Sequence, residues 1–250
     1  MNIAHIQTAI AGIIIVGGIA WSILNFERPV DDKNCRLDGV VRSHTLFIID
    51  QSDPFTSADR GWVRELIKRE SIDLMETGKL TVLSLDAGNQ AKAREIFSRC
   101  SPGAPNEWTG FSRNRRKTVR EWQQRFLLDL NETIDAAMEN DRAPSSPLFE
   151  AFEGVMRRPD FSKFVDKRRL VIISDMIQFS PRFSMLSGNA DWDRFVSETR
   201  YSRSNVFADT DVVIHLAERS RGPNNLELKK FWETYFVERG GASLEFVIDF

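Results

Sequence analysis

Oxygen-bearing side chains of one chemical kind stand at three places in the chain. Asp50 closes an apolar run and is followed by Gln51-Ser52-Asp53. Much later comes Ser145-Ser146-Pro147-Leu148, and later again Ile173-Ser174-Asp175 closes a second apolar run. A carboxylate, a hydroxyl two residues on, a hydroxyl from another loop and a second carboxylate form a hard-oxygen donor set. Such a set suits Mg²⁺ or Mn²⁺, with waters completing an octahedron. Asp50, Ser52, Ser146 and Asp175 are the candidate ligands, and Asp53 is an adjacent carboxylate able to join them directly or through water. Each residue alone also has an ordinary reading. Asp50 can be a helix N-cap or a strand-end turn residue, and Ser146 before Pro147 has the form of an N-cap followed by proline at the first helical position.

These residues need elements to position them. Five short apolar runs read as buried strands: His44–Asp50, Leu80–Asp86, Leu170–Asp175, Asp211–Ala217 and Ser243–Asp249. They are continuous rather than alternating, as in a parallel sheet covered on both faces. Helical patterns lie between them. Trp62–Met75 places Val63, Leu66 and Ile67 on one face; Thr118–Met138, Leu148–Met156 and Leu228–Phe236 behave likewise, and Gln90–Ser98 is helix-like. Alternating strands and helices predict an α/β fold with a doubly wound, mostly parallel sheet, whose ligands bind at the carboxyl ends of the strands. Ser180–Ser204 reads as a long insert rich in Ser, Arg and aromatics, whose Phe183, Met185, Trp192 and Tyr201 are expected on the same rim as Asp175, where they would shape specificity for a partner.

The composition agrees. The 250 residues carry 34 Lys+Arg against 36 Asp+Glu, with 42% hydrophobic residues, 18 Phe and 6 Trp, enough for a large core. The near-balance of charge argues against a chain devoted to coating nucleic acid. Two Cys and three His exclude a disulfide-dense scaffold and restrict histidine-built metal sites.

The order of the oxygen ligands along these strands resembles the von Willebrand factor A family, over a stretch from about Thr45 to the C-terminus. That family's metal-ion-dependent adhesion site uses D-x-S-x-S after the first strand, a Thr often followed by Pro-Leu in a later loop, and an Asp after the fourth strand. Asp50 and Ser52 match the first Asp and Ser, Ser146 before Pro147-Leu148 takes the place of the Thr, and Asp175 takes that of the late Asp. The resemblance implies a three-layer sandwich, Mg²⁺ or Mn²⁺ at a degenerate adhesion site, and a partner protein whose carboxylate completes the metal's open position. This sequence departs from the family at Pro54, where a second Ser is expected, and at Met176, where Gly is usual. The chain also resembles, less sharply, bacterial membrane-anchored proteins with a domain of this type.

Enzymatic readings of the same residues have less behind them. A dehalogenase-type phosphatase needs a second Asp where Ser52 stands, and no P-loop, dinucleotide fingerprint or nucleophile elbow occurs. His44 and His215 fall within apolar strands and read as core histidines, while His5 flanks the N-terminal apolar run. A metal-dependent hydrolase built on Asp50 is the remaining enzymatic alternative. The run Arg113, Arg115, Arg116 and Lys117, with Arg120 beyond, reads as a solvated loop or as a patch for an anionic partner.

Cys35 precedes the first strand, and Cys100 follows the helix-like stretch returning from the second, so both fall at the sheet's amino edge. A bridge between them is geometrically feasible and would imply an oxidising compartment; two independent thiols are the alternative.

Ile6–Leu24 reads IQTAIAGIIIVGGIAWSIL, uncharged and apolar all round. At 1.5 Å per residue it spans about 29 Å, the thickness of a bilayer's hydrocarbon. We read residues 6–24 as a single-pass transmembrane anchor, 25–42 as a linker and 43–250 as the folded domain. Arg28, Lys33 and Arg36 after the anchor argue for a cytoplasmic domain, whereas a disulfide argues for an extracytoplasmic one, the side this reading leans toward. The expected function is that of a membrane-anchored, non-enzymatic interaction domain in a membrane-associated complex. A metal-free structural scaffold of the same fold is its main competitor.

Overall fold

In the computed structural model, residues 12, 15–18, 29–52, 55–72, 74–85, 93–103, 120–138, 145–186, 190–202, 205–217 and 222–248 are described. The strands are β1 (Ser43–Asp50), β2 (Lys79–Leu85), β3 (Arg94–Cys100), β4 (Lys167–Ser174), β5 (Thr210–Leu216) and β6 (Ser243–Val247). The helices are α1 (Ser57–Ile72), α2 (Leu128–Met138), α3 (Leu148–Met156), α4 (Trp192–Thr199) and α5 (Asn225–Glu233). A π-helical turn, Trp122–Leu127, leads into α2, and another, Thr234–Glu238, continues α5.

The sheet has the order β3-β2-β1-β4-β5-β6 and is parallel except for β3. Every residue of β1 is buried, because helices cover both faces. Alternation along the strands divides the core. Leu46, Ile48, Leu170 and Ile172 face α3, α4 and α5; Phe47, Ile49, Val171 and Ile173 face α1 and α2. From β1 the chain proceeds outward through β2, whereas β4, β5 and β6 extend the other way. The carboxyl ends of β1 and β4 therefore flank the topological switch point, where open α/β sheets bind ligands.

Two expectations need correction. The helix-like Gln90–Ser98 contains most of β3, which runs antiparallel to β2 with a register shift at Val82/Leu83. A parallel partner needs a crossover of a dozen or more residues, and residues 86–93 are too few. Only Phe97 and Cys100 of this edge strand are buried, so it has no apolar run to announce it. The large side chains of the Ser180–Ser204 insert expected at the rim, in turn, pack into the core, while Leu186 of the same insert stays exposed. Phe183 and Met185 are 2% and 0% exposed, and Trp192 and Tyr201 pack against the same cluster. Phe195 of α4 stacks on Phe149 of α3 with ring centroids 4.2 Å apart, and Phe183 lies edge-on to Phe195 at 5.3 Å. The rings of this cluster, which also takes in Phe152, Phe231, Trp232 and Tyr235, bury far more area here than at a rim, which draws the segment inward.

Helix α1 begins before the expected Trp62. Thr56 and Asp59 form a reciprocal cap: the Asp59 N–H donates to Thr56 Oγ1 (3.2 Å) and the Thr56 N–H to Asp59 Oδ2 (2.8 Å).

At the amino edge a disulfide joins Cys35 to Cys100, with Cα atoms 4.9 Å apart. Nearby, Asp160 accepts from Lys79 (2.6 Å) and Arg158 (3.0 Å). Burial alone would raise the Asp160 carboxyl, but those hydrogen bonds hold it well below the usual carboxylate range. His44 is 1% exposed. Its Nδ1 lies 2.8 Å from the Asp160 carbonyl oxygen, which can only accept, so Nδ1 carries the proton and Nε2 accepts from Thr81 Oγ1 (2.8 Å). Burial lowers the imidazole to about 4, aided by Lys79 and Arg158 and opposed by Asp160. The unfolded chain takes up a proton below about 6.5, where folded His44 stays neutral. Stability should therefore be lost as pH falls from about 6.5 to 4, by about 3 kcal/mol in all. Urea unfolding at pH 7.5 and 4.5 checks this. His44→Phe should flatten the profile relative to wild type, and an unchanged slope would assign the acid sensitivity elsewhere.

Candidate metal centre at the carboxyl edge

Asp50, at the end of β1, points to the same face as Leu46 and Ile48 and is 3% exposed. Its Oδ2 accepts from Ser146 Oγ at 2.7 Å and from Ser174 Oγ at 2.7 Å. Its Oδ1 accepts from the Ser52 backbone N–H at 2.9 Å. Three segments thus converge on one carboxylate beside the switch point. Ser146 does not cap α3: the N-cap position is Pro147, without a side-chain cap bond, and the Ser146 hydroxyl turns to Asp50 instead.

Backbone pairing holds Ser146 in place. Its N–H donates to the Phe179 carbonyl (2.8 Å) and its carbonyl accepts from the Phe179 N–H (2.9 Å). The loop after β4 also supplies Gln178, whose Oε1 accepts from the Phe149 N–H at the start of α3 (3.0 Å) and whose Nε2 donates to Ser180 Oγ (3.0 Å). Ser180 Oγ donates to Glu150 Oε1 (2.7 Å). The Ser146 loop and the β4 loop are therefore one hydrogen-bonded unit.

Asp175 is 9% exposed, and its Oδ1 accepts from the Ile177 N–H at 2.9 Å. Met176 has φ +60, a left-handed conformation that costs a residue with a Cβ and costs glycine little. It is held there by burial of its side chain, by its N–H bond to Ser174 Oγ (2.8 Å) and by Trp232 Nε1 donating to its carbonyl (2.9 Å). The turn geometry at the site is thus kept without the small residue.

Ser174 was not singled out from the sequence, although alternation could have found it. It stands two residues beyond Ile172, on the face Asp50 shares. Asp53 and Pro54 lie outside the described residues, as do Arg113, Arg115, Arg116 and Lys117; Arg120 is exposed. His44 and His215 are both buried, and His215 lies edge-on to Trp62 at 5.4 Å.

The donor chemistry fits a hard cation. All side-chain donors are oxygens, and the Ser146 and Ser174 hydroxyls give their protons to Asp50, which leaves lone pairs on Ser146 and, beside the one that accepts from the Met176 N–H, on Ser174. Gln51 Oε1 and Ser145 Oγ, adjoining in sequence, are buried without a hydrogen-bond partner among the described residues. Among those residues, no group of three or more His, Cys, Asp or Glu could by itself hold a metal, so a site built from them draws on the hydroxyls.

No family model matches the chain, and no curated protein does. Among solved structures it is similar to a von Willebrand factor type A protein from Catenulispora acidiphila, at 12% identity and TM-score 0.45 over 84% of this chain and 39% of that one. It is similar to the ArnB paralog VWA2 from Sulfolobus acidocaldarius, at 8% identity and TM-score 0.46, over 84% and 42%. A third is BatB from Bacteroides thetaiotaomicron, at 9% identity and TM-score 0.42, over 83% and 91%. The chain thus spans about two fifths of the length of the first two. Likenesses at these scores assign no function to it.

Proposed function

We propose that this chain is a membrane-anchored, von Willebrand factor A-like interaction domain, which holds Mg²⁺ or Mn²⁺ at its carboxyl edge and recognises a partner protein's carboxylate there. The observation that carries this reading is the convergence of Ser146 and Ser174 on Asp50 Oδ2 beside the switch point. Asp50, Ser52, Ser146, Ser174 and Asp175 would hold the ion, with Asp53 adjacent. Bound there, the cation would supply a positive centre to bridge the two proteins. The chain's own residues orient the hydroxyls through Asp50, and the paired loops at Ser146 and Phe179 keep them in place. Phe179 and Leu186, exposed on the loop after β4, offer apolar contact to the same partner.

The anchor is residues 6–24. Of these, 12 and 15–18 are described, helical and exposed; the rest lie outside the described residues. No helix among the described residues is long and apolar enough to cross a membrane. The Cys35–Cys100 bond supports an extracytoplasmic domain, since disulfides persist in oxidising compartments and long domains translocate despite flanking charge.

One observation favours the metal-free scaffold as a second reading: both Asp50 oxygens already accept hydrogen bonds within the protein. Thermal unfolding in EDTA and then in Mg²⁺ or Mn²⁺ separates the two. At 100-fold excess over Kd an ion should add about 2.7 kcal/mol, and a chain of this size should gain ~2–4 °C per kcal/mol. No shift at millimolar metal would leave the scaffold reading.

A further inference from the structure

We propose that the amino edge of the sheet rests on the surface of the lipid bilayer, with Leu37, Val40, Phe164 and Val206 seated among the headgroups and the carboxyl edge turned away. This rests on the reading of residues 6–24 as an anchor and adds an orientation to it.

The tether is short. Only residues 25–28 separate Leu24 from Pro29, so the two lie within about 18 Å even when fully extended. From Pro29 onward the chain is fastened to the amino edge. The Leu37 N–H donates to the Pro29 carbonyl (3.1 Å), the Cys100 N–H to the Lys33 carbonyl (2.9 Å) and Arg99 Nη1 to the Asp32 carbonyl (3.1 Å). The Cys35–Cys100 bond makes the attachment covalent, at the end of β3 beside the start of β2. The point where the chain would leave the membrane is therefore fixed at this edge.

The same edge exposes large apolar side chains in loops leading into adjacent strands. Before β1 stand Leu37 (64% exposed) and Val40 (46%); before β4 stands Phe164 (83%), and before β5 Val206 (43%). β1, β4 and β5 are neighbours, and the Lys167 N–H donates to the Arg42 carbonyl (3.1 Å), so these loops lie side by side. Lys163 Nζ sits 5.6 Å from the Phe164 ring centroid, an arrangement in which the ring enters the interface and the ammonium stays among headgroups. Exposed bases (Lys33, Arg42, Lys163, Lys167) are balanced by exposed acids (Asp31, Asp32, Asp38, Asp166). The attraction is thus apolar, and lipid charge should matter little.

Exposed apolar side chains occur at the carboxyl edge too, including Leu226 at 79%. The tether selects between the edges. The eight residues of β1 at about 3.3 Å each would place Asp50 about 26 Å from the lipid-facing edge, open to a partner approaching from the aqueous side.

The test uses the full oxidised chain in phosphatidylcholine vesicles, with a second set containing phosphatidylglycerol. An environment-sensitive fluorophore is placed at Phe164→Cys, Leu37→Cys or Leu226→Cys, and brominated lipid is the quencher. The expected result is loss of emission at positions 164 and 37 with increasing brominated lipid, equal in both vesicle types, and no loss at 226. Unquenched labels at 164 and 37 on protein that resists alkaline extraction would overturn the orientation while leaving the anchor in place. Protein stripped by alkaline extraction would overturn the anchor and the orientation together. Labels shielded from aqueous iodide but untouched by brominated lipid, and re-exposed when protein is diluted in lipid, would overturn it in favour of a second copy of the chain.

Discussion

Breaking the Cys35–Cys100 bond should lower the unfolding free energy by about 4 kcal/mol. The cysteines are 65 residues apart, and closing a loop of that length removes entropy from the unfolded chain worth roughly that amount in the chain-entropy account. The loss is large beside the 5–15 kcal/mol that holds most domains together. Its local consequence is specific. The enclosed loop contains β1, α1, β2 and β3, and the bond fastens an edge strand with little buried apolar surface of its own. Without it, the hydrogen bonds from Cys100 to the Lys33 carbonyl, from Asn34 Nδ2 to the Cys100 carbonyl and from Arg99 Nη1 to the Asp32 carbonyl must hold the N-terminal segment to β3. Urea unfolding of the oxidised chain, the chain in dithiothreitol and a Cys35→Ser, Cys100→Ser double variant checks the magnitude. Hydrogen exchange should show β3 losing protection before β1. A change below about 1 kcal/mol would mean that the loop is already closed by other contacts in the unfolded state, a known way for disulfides to deliver less than the entropic figure.

Replacing Asp50 by Ala should cost a similar amount, about 5 kcal/mol, even in EDTA. The carboxylate accepts from two buried hydroxyls and one backbone N–H, and each hydrogen bond to a charged group contributes roughly 1.5–3 kcal/mol. Alanine leaves all three donors without their acceptor. Asp50→Asn should cost about half as much, because its carbonyl oxygen can keep both hydroxyls while the Ser52 N–H faces an amide nitrogen that cannot accept. The metal readout divides the variants differently: both should abolish any unfolding shift with Mg²⁺ or Mn²⁺. Asp50→Ala as stable as wild type in EDTA would show that the convergence of Ser146 and Ser174 is not formed. Loss of stability with an undiminished metal shift would place the cation elsewhere.

Apolar runs announced β1, β2, β4 and β5 because strands covered on both faces cannot avoid being apolar throughout, whereas the edge strand β6 shows itself through Leu244, Phe246 and Val247, which are only half-buried. The edge strand β3 escaped notice for the complementary reason: Arg94, Glu95, Ser98 and Arg99 keep it polar, and a short polar stretch carries no periodicity to separate strand from helix. At the carboxyl edge, Asp50 and Ser146 stood out as candidate oxygen ligands after a strand and before a helix. Ser174 did not, since a serine within an apolar run has an ordinary reading until the face it shares with Asp50 is known. Phe183 and Met185 were misplaced because aromatic residues in a Ser- and Arg-rich stretch look like a rim until the ring cluster around Phe149 and Phe195 is seen to absorb them.

Local pattern alone determined the doubly wound class of the chain, the edge at which Asp50 and Asp175 end their strands and the apolar segment that precedes the domain. Hydrophobic periodicity and strand-end side chains are properties of a few consecutive residues, so they can be read without knowing what lies across the sheet. Only the tertiary structure decided which hydroxyls meet Asp50 and how Cys100 reaches Cys35. Those pairings join residues 96, 124 and 65 positions apart. They exist because β4 lies beside β1 and β3 turns back along β2, and strand order is a long-range balance of burial that no local run of residues encodes.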